Sequence, residues 1–578
     1  MSKSLWDAGI QKVIDDTKAQ ASKKVKIGQN EITIPSPFPS PEDWRDNWIY
    51  FLMVDRFNNP KSQPKNPPWD GKCGVFQGGT FEGIRVKLDY LKALGAKALW
   101  LTPVFKNCQK NDFTYHGYGY QDLIEVDPRF GTEAELKLLI DEAHARGMYM
   151  IFDIVLNHAG DVFGYHIDGK CYPEADWSNS EYAIKWRDEN GNYQWSTIPE
   201  NCHPDAAIWP KELQKNDYFR RKGKGGVLGG DFCSLKELIT ANNDVRNAYI
   251  RAYQYLIANF DIDGYRIDTL MYIERDFART FGNAMREFAL LIGKKNFFTF
   301  GEVWADDKTI AEFIGKESGN IDDMIGVDAA LDFPLFFMFT NVVKGFSPPS
   351  DLRQFYTNRK QIYKNHLSSH GEVSRYFVTF FENHDQRARF YYSENGNYDD
   401  QFTMAVGLLF SLLGIPCLYY GSEQMLHGSG DSDQNVREAL WGKPNAFDQT
   451  NPFFKAIKEI SGVRTEQSAL RYGRQYFREI SGNGNDFGFS GDKGGVIALS
   501  RILSDSEILV VANTNVTKNW TGYVAIDSSL SSISSKWSIL FSNKGEKATP
   551  SGNSINRPSG GVALNVSLKP MEIQILGK

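Results

Sequence analysis

The sequence predicts an α/β fold: a (β/α)8 TIM barrel with an inserted domain B after strand 3 and a C-terminal antiparallel β-sandwich. From Trp48 onwards, short apolar runs alternate with amphipathic helical patterns, which is the order of elements in such a barrel. Roughly ninety residues rich in Gly, Asn, Asp and Trp interrupt the alternation once, and a connection of that length indicates a functional excursion or a small domain. From about Tyr472 the helical periodicity gives way to strand-like alternation with turns.

The domain boundaries follow these changes in pattern. We expect an N-terminal helix and Pro-rich extension at 1–44, the barrel (domain A) at 45–158 and 236–471, domain B at 159–235 and the β-sandwich (domain C) at 472–578. The eight predicted barrel strands are 49–54, 98–102, 149–155, 264–267, 297–301, 324–327, 376–381 and 415–420. Helical patterns at 132–146, 245–259 and 276–292 separate some of them, and domain C has strand patterns at 496–501, 508–513, 522–526, 537–541 and 562–568.

Composition and the N-terminal segment narrow the functional class. A net charge of −6 over 578 residues argues against a nucleic-acid partner, and no apolar run approaches the length of a membrane span. Residues 1–26 lack the apolar core of a signal peptide and instead predict a short amphipathic helix, followed by an extended Pro-rich segment at 35–41. We therefore expect a cytoplasmic monomer, with a secreted form whose signal was removed as the alternative. Cys171 and Cys202 could form a disulfide in an oxidising compartment.

Four segments, 153–158, 264–268, 301–304 and 381–385, each place a carboxylate at or just after the end of a predicted strand. Retaining hydrolysis of a glycosidic bond needs a nucleophile and an acid/base about 5–5.5 Å apart. Asp268 follows Arg266 by two, so both side chains face one side of their strand, where the guanidinium favours an ionised nucleophile. Glu302 ends the next strand inside an apolar run, which suits a general acid. Asp385, after strand seven, would stabilise the developing cation or hold ring hydroxyls.

In this order and spacing, the four segments resemble the conserved regions of the α-amylase superfamily, glycoside hydrolase family 13. The resemblance covers about residues 45–470. It implies that Asp268, Glu302 and Asp385 are the catalytic triad. Other site residues implied by the resemblance are the family arginine Arg266, the substrate-contacting histidines His158 and His384, the supporting carboxylate Asp153, and the segment from His116 to the stacking Tyr118. The segment with Arg437 and Glu438 also has a family counterpart, to which we assign a structural role.

The resemblance also implies a structural Ca2+ between the barrel and domain B. The asparagine ligand of the family falls on Asn157, and its aspartate ligand falls on Glu237. Glutamate supplies the oxygen ligands that Ca2+ prefers, although its extra methylene moves the carboxylate. The alternative is that Asn157 only bonds backbone groups of domain B.

One position departs from the family pattern. After the nucleophile, typical α-amylases carry a Lys-His pair on the leaving-group side, whereas this chain has Met271 and Tyr272. A soft apolar group and a phenol would hold a sugar more by apolar contact than by charge.

Three functions are therefore carried forward. The first is a retaining hydrolase of α-1,4-glucosidic bonds in starch-like polysaccharides or maltooligosaccharides, with an α-glucan as substrate. The second is a glucanotransferase or a cyclodextrin- or pullulan-cleaving enzyme, and the Met271–Tyr272 departure motivates it. The third is a non-catalytic glucan-binding protein, against which the intact set of Asp268, Glu302 and Asp385 argues.

Overall fold

The computed structural model describes residues 4–18, 21–317, 323–392, 398–545 and 554–578. Its central sheet has eight parallel strands: β1 (Ile49–Leu52), β2 (Ala98–Leu101), β3 (Tyr149–Val155), β4 (Gly264–Asp268), β5 (Phe298–Gly301), β6 (Ala329–Ala330), β7 (Val378–Thr379) and β8 (Ile415–Tyr419). Strands β1 to β6 pair in sequence order, and β8 joins β1 to β7. A parallel bridge between Leu331 and Val378 then closes the sheet, which confirms the predicted barrel.

The sixth strand lies later in the chain than predicted. The apolar run 324–327 was expected to form it, but the strand is Ala329–Ala330. The amides of Gly326 and Val327 instead donate to the carbonyls of Gly315 and Phe313, at 2.8 and 3.1 Å. The run is therefore held by the segment before it, and the chain enters the barrel only after the buried Asp328.

Helices surround the barrel, and some of them begin at a side-chain cap. The predicted helices at 132–146, 245–259 and 276–292 are found at Glu133–His144, Asn243–Phe260 and Arg275–Leu291. Thr132 and Glu135 form a capping box that fixes the start of the first of these helices. The other helices are Val54–Phe57, Phe81–Arg85, Leu88–Leu94, Asp307–Ile310, Phe333–Val343, Pro349–Tyr363, Asp399–Ser411, Pro452–Glu466 and Ser468–Tyr472.

The interval between β3 and the Asn243–Phe260 helix contains its own antiparallel sheet. Its four strands are Phe163–Ile167, Lys170–Tyr172, Ala183–Arg187 and Tyr193–Trp195. Where the chain leaves and re-enters the barrel, His158–Ala159 pairs with Lys236–Glu237. Smaller sheets are formed by Phe105–Asn107 with Tyr120–Val126, and by Lys316–Glu317, His366–Ser368 and Gly371–Glu372.

The C-terminal region forms the two antiparallel sheets expected of a β-sandwich. One contains Arg474–Phe477, Val496–Leu503, Ser506–Asn513, Ser538–Ser542 and Ile573–Gly577, and the other contains Ile480–Ser481, Trp520–Ile526, Ile555–Asn556 and Val562–Leu568. Apolar side chains of both sheets, including Leu509, Val524 and Leu564, form a shared core. The first of these sheets is buried on both faces, because Leu499, Val510 and Ile575 on its other face belong to the core of the barrel.

The N-terminal segment lies against the barrel. Its predicted helix is Ala8–Thr17, but the following hairpin of Ser22–Ile27 with Asn30–Pro35 was not predicted. Within the Pro-rich segment, the Phe38 amide donates to the Asp261 carboxylate at 2.9 Å, and the Phe38 ring stacks on His144. All six cysteines are free thiols, so Cys171 and Cys202 are not bridged. Among the described residues, the helices are too short or too polar to cross a bilayer.

Candidate active site

A cleft of about 380 Å3 opens at the C-terminal ends of the barrel strands. Seven residues singled out from the sequence line it together: His116, Tyr118, His158, Asp268, Glu302, His384 and Asp385. The remaining lining residues are Phe232, Leu235, Thr269, Trp304, Asp433 and Arg437. The barrel topology thus brings groups that are far apart in sequence to one opening.

The buried side chain of Arg266 joins the carboxylates of three neighbouring strands. Its Nη1 donates to Asp153 Oδ1 at 2.8 Å and to Asp268 Oδ1 at 2.7 Å, while its Nη2 donates to Glu302 Oε2 at 2.9 Å. The three acids sit on β3, at the end of β4 and just after β5. Because one planar guanidinium contacts all of them, it fixes the position of Asp268 relative to Glu302.

Asp153 lies beneath the cleft and supports other site residues. It is fully buried, and its Oδ2 accepts hydrogen bonds from Tyr118 Oη at 2.8 Å and Trp100 Nε1 at 2.9 Å. Burial raises the pKa of Asp153 to about 6, although Arg266 favours its ionised form. It therefore acts on the site through Arg266 and Tyr118.

A strained backbone position separates Asp268 from the following turn. Thr269 has a φ of 48°, a left-handed conformation that is unusual for a β-branched residue. In this conformation its amide donates to Glu302 Oε2 at 3.0 Å. The setting of Glu302 is thus more polar than its apolar sequence neighbours indicate, because Arg266 and Thr269 donate to the same oxygen.

The site contains more negative than positive groups. Five carboxyl groups contact two guanidinium groups, with Asp153, Asp268 and Glu302 at Arg266, and Asp385 and Asp433 at Arg437. Burial is the largest effect on Asp268 and Asp385, and it raises the pKa of both carboxyls, against the opposing effect of the guanidinium groups. The contact with Arg266 is therefore present as predicted, but burial outweighs it. Such a cluster retains protons at a higher pH than separate carboxyls would.

Three histidines around the cleft are held in the neutral form. Burial lowers the pKa of His158 to about 4 and lowers the pKa of His116 and His384 well below the usual range. The Tyr118 ring lies between two of them, 5.6 Å from His116 and 5.4 Å from His384 between ring centroids. His158 Nε2 and His384 Nδ1 are buried atoms without a hydrogen-bond partner. These atoms could bond sugar hydroxyls.

Met271 and Tyr272 lie beside the cleft lining, and both side chains are half-buried. Both belong to the short 3-10 turn Leu270–Tyr272, and neither is among the residues that line the cleft. The Tyr272 ring packs edge-on against Phe232, with 5.2 Å between centroids. Phe232, which Tyr272 supports, lines the cleft beside them, and the direct sugar contact by Met271 and Tyr272 stays a prediction.

Several lining residues received no role at the cleft from the sequence. Trp304 stood inside one of the four segments without receiving a role, and Phe232 lies in the irregular end of the insertion. Arg437 was assigned a structural role, yet its Nη2 lies 3.1 Å from Asp385 Oδ1 and its Nε donates to the His384 carbonyl. A conspicuous signal was available for Trp304, because an aromatic residue follows Glu302 by two.

The residues predicted to hold Ca2+ are engaged with other partners. Glu237 Oε1 accepts from Arg220 Nε and its Oε2 accepts from the Gly230 amide, both at 2.7 Å. Burial raises the pKa of this Glu237 carboxyl to about 7. Asn157 Nδ2 donates to the Tyr272 carbonyl at 2.9 Å. In the described part of the chain, no group of three or more His, Cys, Asp or Glu side chains could hold a metal. As arranged, Asn157 and Glu237 do not fit a calcium cage, because a cation already occupies the Glu237 side.

The lowered pKa of His158 predicts a loss of stability in acid. Its folded pKa of about 4 lies below its ordinary value of 6.5, so the unfolded chain binds this proton first as the pH falls. The free energy of unfolding then drops by about 2 kcal/mol between pH 7 and pH 5 through this group alone. We expect His158→Gln to remove that component, as measured by urea unfolding at both pH values. The exposed His203, changed to Gln, serves as the control; equal pH dependence in His158→Gln and wild type would contradict the prediction.

Comparisons with known proteins identify the family of the chain. Residues 49–443 match the family model of the α-amylase catalytic domain. An α-amylase of Streptomyces lividans is 27% identical over 72% of this chain and 49% of its own length, so this chain spans about half of that relative. A cyclomaltodextrinase of Thermoanaerobacter pseudethanolicus is 28% identical over 77% of this chain and 67% of that protein. A solved structure of a Geobacillus thermoleovorans α-amylase, complexed with acarbose, has a TM-score of 0.67 at 25% identity and covers 93% of this chain and 99% of that one. The family model covers more than half of the sequence, and the chain belongs to the α-amylase family.

Proposed function

We propose that the protein hydrolyses α-1,4-glucosidic bonds of starch-like polysaccharides or maltooligosaccharides with retention of configuration. The observation that carries this proposal is the contact of one buried guanidinium, Arg266, with both Asp268 and Glu302 at the mouth of the barrel. Retaining hydrolysis requires two carboxyl groups held close together on either side of the bond that breaks. Membership of the α-amylase family and relatives named α-amylase support the choice of substrate.

In the first step, an ionised Asp268 oxygen attacks the anomeric carbon and forms a covalent glycosyl ester. The bond to the leaving oxygen breaks, and Glu302 gives its proton to that oxygen. In the second step, Glu302 takes a proton from water, whose oxygen attacks the anomeric carbon and releases Asp268 as a carboxylate. Arg266 contacts both acids and favours the ionised form of Asp268 that the first step needs, against the effect of burial on the Asp268 pKa.

The groups around the two acids position the sugar. Asp385 lies across the cleft, where Arg437 and His384 hold it, and its charge would favour the cation that develops on the ring. The flat Tyr118 ring would cover an apolar sugar face, while the unpartnered nitrogens of His158 and His384 would bond hydroxyls.

Removing either acid function should abolish catalysis while the fold is retained. We expect Asp268→Asn and Glu302→Gln to lower kcat on maltoheptaose by about a thousandfold or more, because each abolishes one of the two chemical roles. The exposed Glu312, changed to Gln, is a matched control that should keep wild-type activity. Proton NMR of the first products should show the α-anomer. Inverted products, or near-normal turnover by either folded variant, would refute the mechanism.

We further infer that Arg220 supplies the positive charge at the junction between the barrel and the insertion. Its contact with Glu237 favours a junction that needs no Ca2+, in place of the Ca2+ that the family resemblance implies. This inference concerns stability and involves no catalytic step.

Calcium and chelators should therefore leave the wild-type protein unchanged. We expect the same urea midpoint with EDTA and with millimolar Ca2+, whereas Arg220→Ala should lose about 2 kcal/mol, since it leaves the buried Glu237 without its cation. Arg221→Ala is the control, because the carboxylates that pair with Arg221, Glu181 and Asp217, are more exposed than Glu237. A fall in the wild-type midpoint on adding EDTA would show that Ca2+ binds after all.

The second candidate function is transfer of the glycosyl group to another sugar. Phe232 and Trp304 are both 42% exposed and both line the cleft. These rings could hold an acceptor by apolar contact and so compete with water. The cyclomaltodextrinase relative favours testing cyclic substrates as well.

Product size separates hydrolysis from transfer. At high maltoheptaose concentration, a hydrolase should give only shorter sugars, whereas transfer gives products longer than the substrate. We expect Trp304→Ala to reduce the yield of longer products more than it reduces total cleavage. The substitution weakens binding of the acceptor sugar and leaves the two catalytic acids unchanged. Chromatography of the products over time makes this measurement, and Phe346→Ala, at an exposed ring that does not line the cleft, is the control. Equal losses in both activities would contradict the acceptor role.

A further inference from the structure

The leaving part of the substrate has a defined exit from the cleft if the proposed mechanism holds. Glu302 must touch the oxygen between the two sugars, so the leaving chain departs on the Glu302 side. Trp304 stands two residues further on, and 42% of it is exposed. The ring of Trp304 stacks on the buried Phe333 with 4.7 Å between centroids and 28° between planes. One face of Trp304 is thus supported by the Phe333–Val343 helix.

The same helix carries a second exposed ring beside Trp304. Phe337 follows Phe333 by one helical turn, so both project from one side of the helix. Its centroid lies 6.1 Å from that of Trp304, and 45% of Phe337 is exposed. An apolar ring of this size on a surface loses favourable burial unless something covers it. Trp304 and Phe337 together form an aromatic ledge that leads away from Glu302.

A groove of about 460 Å3 lies along the neighbouring side of that helix. It runs between the helices Asp307–Ile310, Phe333–Val343 and Pro349–Tyr363. Pro334, Met338 and Phe355 contribute its apolar surface, while Asp306, Gln354 and Asn358 contribute exposed polar groups. The volume lies within the roughly 300–1,000 Å3 typical of small-molecule sites. Apolar surface with hydrogen-bonding groups at its edge matches a sugar, whose faces are apolar and whose rim carries hydroxyls.

We propose that this ledge and groove bind the leaving side of an α-glucan, several glucose units beyond the bond that is cleaved. The occupant is the substrate chain itself, because Trp304 lines the catalytic cleft and packs on Phe333 and Phe337 of the helix whose Pro334 and Met338 line the groove. The proposal rests on the proposed function and adds a preference for long chains. Short substrates would end before Phe337 and gain nothing from it.

Chain-length dependence tests the proposal directly. We expect Phe337→Ala to lower kcat/KM for maltoheptaose by about fivefold to tenfold, mainly through KM, and to leave maltotriose cleavage unchanged. Asn358→Ala, on the groove side, should reduce maltoheptaose cleavage in the same selective way. Phe346→Ala is the matched control, because Phe346 is 64% exposed just beyond the same helix and lines neither the groove nor the cleft. All three variants should unfold at the same midpoint temperature as the wild-type protein.

Binding measured without turnover separates failure of the groove from failure of the proposed function. In a Glu302→Gln background, calorimetry should show that Phe337→Ala weakens maltoheptaose binding about fivefold to tenfold but leaves maltotriose binding unchanged. Equal effects of Phe337→Ala on the binding of both sugars, or no effect on either, would overturn the groove proposal. Cleavage of either sugar by the wild-type enzyme would still uphold the proposed function. If the wild-type enzyme cleaves neither sugar, both the function and the groove proposal fall.

Discussion

The buried guanidinium of Arg266 is the constraint on which the rest of the site depends. Taking an isolated arginine charge out of water costs several kcal/mol, and this protein offsets that cost with carboxylates on three neighbouring strands. The strand register makes the arrangement possible. Arg266 lies level with Asp153 on β3, and Asp268 faces the same side because it is two residues further along β4. Glu302 then completes the set from the end of β5.

Local backbone geometry, in addition to the strand register, determines how Asp268 and Glu302 are placed. The left-handed conformation of Thr269 turns its amide towards Glu302, and Gly301 leaves room for the turn that follows Asp268. A side chain at position 301 would place its Cβ 2.1 Å from Leu270 Cδ2, so that turn would have to shift. The strain at Thr269 is maintained because the buried guanidinium and both carboxylates hold the surrounding chain in place.

The sequence predicts most of what depends on short-range pattern. Strand ends, the periodic helices and the acids at strand ends all follow from neighbours in the chain, and the barrel brings these acids together. Much of what it does not predict depends on partners elsewhere in the chain, although the hairpin of Ser22–Ile27 with Asn30–Pro35 was missed despite its local pairing. The shift of β6 arises because Gly326 and Val327 pair with backbone of residues 313–315. The pairing of Glu237 with Arg220 could not be predicted from the sequence for the same reason. The sequence alone does not distinguish an acidic residue that binds a metal from one that forms an ion pair. Arg437 likewise gains its role only when the loop after β8 folds over Asp385.

The rings around the cleft are of two kinds, and the difference bears on which substitutions the site tolerates. The first kind comprises Tyr118 with His116 and His384, which are packed against each other, so a substitution there disturbs the charged cluster as well. The second kind comprises the exposed rings of Phe232 and Trp304, of which Phe232 stacks near His158 with 6.5 Å between centroids. Substitutions at residues of the second kind would leave the pKa values of the acids unchanged. Tyr272 packs edge-on against Phe232, which is of this second kind. Under the proposed function, Met271 and Tyr272 would therefore affect the choice between water and sugar, through Phe232, and not the bond-breaking step.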